Sequence, residues 1–424
     1  MLRDHPRRYA LSNELHARPF PALAAPCRAA FIAIKQESDA ANRDRSLDRA
    51  HLEALLNRFG AAHPAPGATH FFGPLGRYKL KWESHTEFVT YTLFAEGVAE
   101  RPFEAATFDV FPADWLAEAP GTRLTSALIR VENAMPEEAM VERLQEWFVP
   151  ESLAVSWVLD RSAAIASDFR IDPGGHVRFA AFVSDDTGER RVGRIMQRLS
   201  EIETYKTMAM LALPRARELG GELGQMDTQL SGLVGALREG RAQTEETLEG
   251  LLTIGSELET MLARSAFRFG AQEAYEALVN QRIAVLREER FGGRQTFHEF
   301  MQRRFDPAMR TCRAVQRRME ALAERAKRAG DLLSTRVNVE RADQNAQLLH
   351  SMNARAEAQL RLQKTVEGLS VVAISYYALN LVAYLLFPLG AQAGLSKDMV
   401  SALAVLPVVI GVWLIVRGIR KRVE

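Results

Sequence analysis

Glu83, His85 and Glu87 alternate along KWESHTEFV, residues 81–89. Residues two apart on a strand share a face, so this spacing gives a histidine flanked by carboxylates, able to titrate near neutral pH. An exposed polar strand face accounts for the same pattern without chemistry. A second candidate cluster is NELHARPF, residues 13–20, in which Glu14, His16 and Arg18 fall within one turn just before Pro19. Proline disfavours the α conformation in the residue before it, so a helix from about Arg7 should stop near Ala17 or Arg18. Cations at a helix C-terminus are favoured by the dipole, and capping explains His16 and Arg18 as well as a site does. His63 and His70, in HPAPGATH, lack a defined third ligand for a metal. The glycines at 73–76 and 174–175 lack the lysine and hydroxyl of a phosphate loop. No nucleophile has a recognisable base partner, so the sequence names no catalytic residue, cofactor or metal.

The elements that must position these groups follow from length and composition. The chain has 424 residues, 47% of them hydrophobic, enough for a large core and two or three structural units. Its 54 basic residues balance 53 acidic ones, so no global field draws nucleic acid, which is excluded as a partner. Cys27 and Cys312 are too few for a disulfide framework and read as free thiols in a reducing compartment. The N-terminus is charged and shows no secretory signal, which places the large N-terminal part in the cytoplasm.

Apolar or alternating runs at Cys27–Lys35, Arg77–Glu83, Glu87–Phe94, Thr122–Val131, Leu153–Leu159, Ala164–Ile171 and Val177–Val183 read as strands. Asn42–Phe59 and Pro136–Phe148 have helical spacing, and Asp172-Pro173-Gly174-Gly175 reads as the turn between the last two strands. No strand is expected after Gly188. The fold class is therefore α+β. A mixed α/β domain (1–187) precedes an antiparallel helical region (188–306), a stalk helix (307–368) and a transmembrane hairpin with a basic tail (369–424).

Leu219, Leu223, Met226, Leu230, Leu233 and Leu237 step by four and three like a coiled-coil seam. Leu248, Leu251, Leu258 and Leu262 continue the pattern after a polar break, which implies an antiparallel partner. From Asp306-Pro307 the chain has no proline until Pro388, so one helix of roughly 120 Å can enter the membrane. It carries an apolar stripe, Val315, Met319, Leu322, Ala326, Ala329 and Leu333. Farther along, Asn338, Asn345, Met352, Gln359, Val366, Ala373 and Asn380 recur every seven residues. In an oligomer this stripe would line a hydrated axis or form an interface; a solvated helix face is the plainer account.

Leu369–Leu389 and Met399–Val416 are uncharged over about the length that crosses a hydrocarbon core. Arg417, Arg420, Lys421 and Arg422 follow the second, so both termini should be cytoplasmic. The chain is expected to be a multi-pass membrane protein. The expected partners are the lipid bilayer, further copies of the chain and, if an axis forms, a cation.

NELHARPF, KWESHTEFVTYTLF (81–94) and GLSVVAISYYALNLVAYL (368–385) resemble the bacterial membrane-anchored proteins grouped as domain of unknown function 3422. That resemblance implies a membrane-anchored protein and supplies no catalytic residues. The layout also resembles CorA-type magnesium channels, but Phe387-Pro388-Leu389-Gly390 stands where that family places Gly-Met-Asn, and Asn380 lies too early to replace it. The expected function is a non-enzymatic, oligomeric scaffold or sensor at the cytoplasmic membrane face. A CorA-like channel of altered selectivity and a membrane-anchored enzyme are the alternatives.

Overall fold

The computed structural model describes residues 3–9, 12, 20–238, 244–392 and 396–423. The chain divides into two compact units, Met1–Ala242 with Glu249–Arg328, and Gln243–Leu248 with Ala329–Glu424. His16, Arg18 and the rest of the 13–19 cluster lie outside the described residues.

The first unit is built on a sheet of nine strands: β1 (Cys27–Lys35), β2 (His70–Leu75), β3 (Tyr78–Ser84), β4 (Phe88–Glu96), β5 (Thr122–Asn133), β6 (Ala154–Val158), β7 (Ala163–Ser167), β8 (Val177–Val183) and β9 (Glu289–Arg290). Their order is β2-β3-β4-β1-β5-β8-β7-β6-β9. Among the described residues, the β5–β8 pair alone is parallel. β1 shows why the sheet needs cover on both faces: Ala29, Phe31 and Ala33 are buried on one side, and Ala30, Ile32 and Ile34 on the other. A strand without polar alternation has no face to offer water.

The helices supply that cover. On one face, Leu52, Leu55 and Leu56 of α1 (Arg45–Arg58) pack with Trp115 of α2 (Ala113–Ala117) over β1, β3 and β4. Beside them Met140, Leu144 and Trp147 of α3 (Glu137–Trp147) cover Val155, Ala164 and Phe182. The opposite face takes α4 (Glu189–Met210), whose Val192, Ile195, Met196, Leu199 and Ile202 recur at helical spacing. The remaining helices are α5 (Ala212–Arg238), α6 (Thr244–Ala284), α7 (Phe297–Arg304), α8 (Asp306–Gln392) and α9 (Lys397–Val423). Val279 and Ile283 of α6, Phe297 and Phe300 of α7, and Met309 of α8 join the same core as α4.

Three strand expectations are corrected. The run expected to reach Ile171 ends at Ser167, because the buried Asp168 carboxylate accepts hydrogen bonds from the Arg170 N–H at 3.1 Å and the Arg178 guanidinium at 2.9 Å. Phe169 then turns the chain at φ 53°. The missed strand β2 contains Gly73 and Pro74 and pairs only with β3, an edge position that tolerates proline. The missed β9 follows Gly188 by a hundred residues and pairs Glu289 with Trp157 and Arg290 with Ser156. Two residues carry no readable period.

The helical seams are buried where the first unit uses them. Leu219, Leu223 and Leu230 of α5 and Leu251 and Leu258 of α6 are inaccessible, and the Gly250 Cα faces Leu233 closely enough that an added Cβ would stand 3.1 Å from its methyl. Arg325 of α8 donates to Asp227 and Ser231 of α5, both at 3.0 Å. Met319, Leu322 and Ala326 of the apolar stripe are buried. α8 continues for 87 residues through Gly330 and Gly368 and past Pro388.

In the second unit α8 and α9 are long and apolar enough to cross a membrane. Ser375, Val400, Ala404 and Val412 are buried between them, while Leu369, Val372, Leu381, Leu385, Leu406 and Ile415 are exposed. Residues 341–360 of α8 are exposed on every side.

The N-terminal segment reaches α4 through a close backbone approach. The Leu23 N–H donates to the Glu189 carbonyl at 3.1 Å, and a Cβ at Gly193 would stand 1.7 Å from the Pro21 carbonyl oxygen. Gly193→Ala should therefore destabilise the full-length protein by roughly 1–3 kcal/mol through overpacking, read as a fall in the thermal midpoint in detergent. Gly188→Ala, where an added Cβ meets nothing within 4 Å, should leave the midpoint unchanged.

Candidate functional site

The β3–β4 turn carries the sequence cluster, but not on one strand face. Glu83 lies on β3, opposite His70 of β2, whereas His85 and Glu87 belong to the turn after Ser84. Arg43, just ahead of α1, fixes that turn. Its guanidinium donates to the carbonyls of Ala40 at 3.0 Å, His85 at 2.9 Å and Phe88 at 3.1 Å, and to Asp48 Oδ2 at 2.8 Å. The Arg43 and Asp48 side chains are only 2% and 3% exposed. Burial pushes the Asp48 carboxyl upward while the Arg43 charge opposes the shift. His85 stacks on Phe88 with ring centroids 4.4 Å apart.

Held this way, Glu87 turns inward to a 3% exposed position and meets α6. Arg268 donates to both carboxylate oxygens, at 2.8 and 3.2 Å, and the Tyr275 hydroxyl donates at 3.1 Å. Arg268 and Tyr275 are seven residues apart, on one helical face. Burial raises the Tyr275 phenol well above its ordinary range, and the Glu87 charge adds to the effect. Three donor groups, two from Arg268 and one from Tyr275, therefore converge on the Glu87 carboxylate.

Two hollows flank this pair. Glu83 and His85 line one of about 30 Å³, room for a water and no more. There Lys81 Nζ donates to Gln197 Oε1 at 2.7 Å and pairs with Glu83 at 3.2 Å, and Gln197 passes the network to Glu201 at 2.8 Å, which Arg282 neutralises. Glu87 and Arg268 line the other, a cavity of about 870 Å³ at the end of β1 and the start of β5.

The other groups with chemical potential are committed to structure. His63 bonds Asn57 at 2.7 Å, and His70 opens β2; among the described residues no three metal-binding side chains stand in ligand geometry. Ser126 Oγ lies 2.9 Å from His176 Nδ1, but both residues are buried and Oγ also donates to the Gly175 carbonyl at 3.1 Å. Both cysteines are buried, and burial pushes the Cys27 thiol up to about 12. In the second unit Asn338, Asn345, Met352, Gln359 and Asn380 are all exposed along α8.

Sequence reasoning found Glu87 and missed Lys35, Arg43, Arg268 and Tyr275. Arg268 stands 181 residues from Glu87. No local period links them; the seven-residue spacing of Arg268 and Tyr275 along a helix rich in charged residues does not set them apart.

Because removing one member of a buried pair strands the other charge, Arg268→Met should destabilise the full-length protein by about 3 kcal/mol. Glu87→Leu combined with Arg268→Met should recover most of that loss. Thermal melts of the parent, the two single variants and the double variant measure the coupling. Additive losses would mean that the pair does not stabilise its partners.

A family model described as a protein of unknown function (DUF3422) matches residues 3–423. No curated protein matches. With the match spanning both the sheet unit and the apolar helices, the chain belongs to the DUF3422 family.

Proposed function

We propose that the protein is an oligomeric scaffold or sensor anchored in the bacterial inner membrane, with its α/β unit in the cytoplasm. The observation that carries this reading is α8. Met309, Cys312, Met319 and Leu322 near its start are buried in the first unit, and the same unbroken helix ends in an exposed apolar stretch. A helix rooted in a folded core at one end and in lipid at the other anchors the unit. It is also a stiff element through which a change at the unit reaches the membrane.

The commitment of Glu87 to Arg268 and Tyr275 favours binding and transmission over a reaction. Exposed Leu348, Leu349, Met352, Leu360 and Leu362 on α8 support pairing with further copies. The basic residues after Val416 support cytoplasmic termini. Trp413, with the Arg417 guanidinium 4.9 Å from its ring, suits a membrane–water boundary.

Transport is the second reading, favoured by one observation: Asn380 is an exposed amide within the apolar part of α8. In copies arranged around an axis, Asn338, Asn345, Gln359 and Asn380 would offer a cation polar groups along the way. The CorA-type layout enters here as a layout alone, without the Gly-Met-Asn element.

Topology is tested with single cysteines at Ala391 and Arg420, in a background with Cys27 and Cys312 replaced. An impermeant thiol reagent on intact cells should label position 391 and spare 420. The reverse pattern would refute the orientation.

Oligomerisation and transport are tested on the purified protein. Light scattering in detergent should give a protein mass that is a multiple of 47.4 kDa. Vesicles carrying the parent should leak monovalent and divalent cations no faster than empty vesicles. Flux above that background, reduced by Asn380→Leu with assembly intact, would replace the scaffold reading with transport.

A further inference from the structure

The cavity of about 870 Å³ between the end of β1 and α6 has the size of an organic-ligand pocket. Three cations line it with hydrogen-bonding capacity left over. Lys35, half-buried at the end of β1, donates to the Gln36 carbonyl at 2.9 Å and to no other group among the described residues. An ammonium has three donors. The Arg123 side chain, at the start of β5, makes no hydrogen bond or ion pair among the described residues. Its guanidinium rests on Gly175, where an added Cβ would stand 3.0 Å from Nη2. Arg268 spends both terminal nitrogens on Glu87, and its buried Nε has no partner.

The acids around the cavity do not use up this capacity. Glu87 already accepts two hydrogen bonds from Arg268 and one from Tyr275. Glu37 and Asp39 are exposed at the rim, where water screens them, and Asp39 is bonded to Asn42 at 2.7 Å. Burial lowers the Lys35 ammonium, Glu87 opposes that shift, and Arg268 and Arg43 add to it. An anion in the cavity would relieve the same desolvation and repulsion. The wall also has an apolar side: Phe267 is 55% exposed, unusual for a large aromatic, and Leu124 and Leu211 stand beside it.

We infer that this cavity binds a small organic oxyanion, a phosphate monoester or a carboxylate, with its charged end on Lys35, Arg123 and Arg268 and a flat apolar group against Phe267. Naming this as what the protein senses rests on the anchored-sensor reading. The binding site itself does not.

The test is isothermal titration calorimetry on the full-length protein in detergent, with phenyl phosphate, benzoate, inorganic phosphate and neutral benzyl alcohol as probes. Phenyl phosphate or benzoate should bind saturably, benzyl alcohol should not, and the tighter of the two anions identifies the headgroup. Lys35→Met and Arg123→Met should each weaken that anion at least tenfold. Phe267→Ala should weaken phenyl phosphate or benzoate while leaving any inorganic phosphate binding unchanged. Lys327→Met, on the exposed face of α8, should match the parent. Arg123 is exposed, so its variant keeps the test intact if Lys35→Met does not fold.

No saturable heat with any of the three anions, or affinities of both cation variants within twofold of the parent, would overturn the inference. Disulfide crosslinking of Met352→Cys between copies, with and without the bound anion, separates the two readings. Binding without any change in crosslinking rate would leave the site standing and remove sensing.

Discussion

A buried carboxylate cannot be left alone, and in this protein the demand of Glu87 ties the sheet to its helical cover. The turn that holds Glu87 is fixed from one side by Arg43, which donates to the carbonyls of His85, Thr86 and Phe88 and is itself held by Asp48. From the other side α6 must bring Arg268 and Tyr275 to within hydrogen-bonding distance. Such a pair contributes little net stability compared with a well-packed apolar substitute, but mispairing it is costly. Its effect is selective: α6 cannot slide by one turn along the sheet without abandoning a charge. The apolar contacts of Val279 and Ile283 would tolerate that slip far better.

The sheet was legible where burial is two-sided and turns are sharp. β1 and β8 fall on the residues expected, because a continuous apolar run bounded by polar or turn residues admits few alternatives. β7 was overextended because Phe169 and Ile171 look like strand residues; a buried Asp168 overrides them. β2 was hidden by its glycine and proline, and β9 by its length. At the site, alternation drew attention to Glu83, His85 and Glu87, although the turn breaks the face they were expected to share. Lys35, Arg123 and Arg268 come together only through tertiary packing, and a pairing 181 residues apart leaves no local trace. His16 and Arg18 gain no structural account, since they lie outside the described residues.

The stalk obeys a different constraint from the core. A helix in water is marginal unless a face of it is buried, since each residue fixed in place costs conformational entropy that one backbone hydrogen bond barely offsets. Up to Ala326 α8 meets that condition within its own chain, through Met319, Leu322 and Ala326. From 341 to 360 it does not: every residue there is exposed, and Leu348, Leu349, Met352 and Leu360 each present more than half of their surface. Surface ion pairs such as Arg336 to Glu340 at 3.0 Å are too weak to substitute for a packed face.

That imbalance favours an assembly over a lone anchor. Burying the exposed leucines and Met352 against equivalent helices would contribute on the order of 1.5–3 kcal/mol for each side chain fully covered. The polar members of the same helix, Asn345 and Gln359, would then act as layers that fix register and copy number at some cost in stability. The apolar stretch beyond Leu369 would need no such partner in a bilayer, where lipid would cover it. Partner helices would therefore matter most between Val337 and Gly368, the stretch that neither the folded core nor a bilayer would cover, and in the proposed anchored sensor a change at the α/β unit would reach the membrane by altering how that stretch packs.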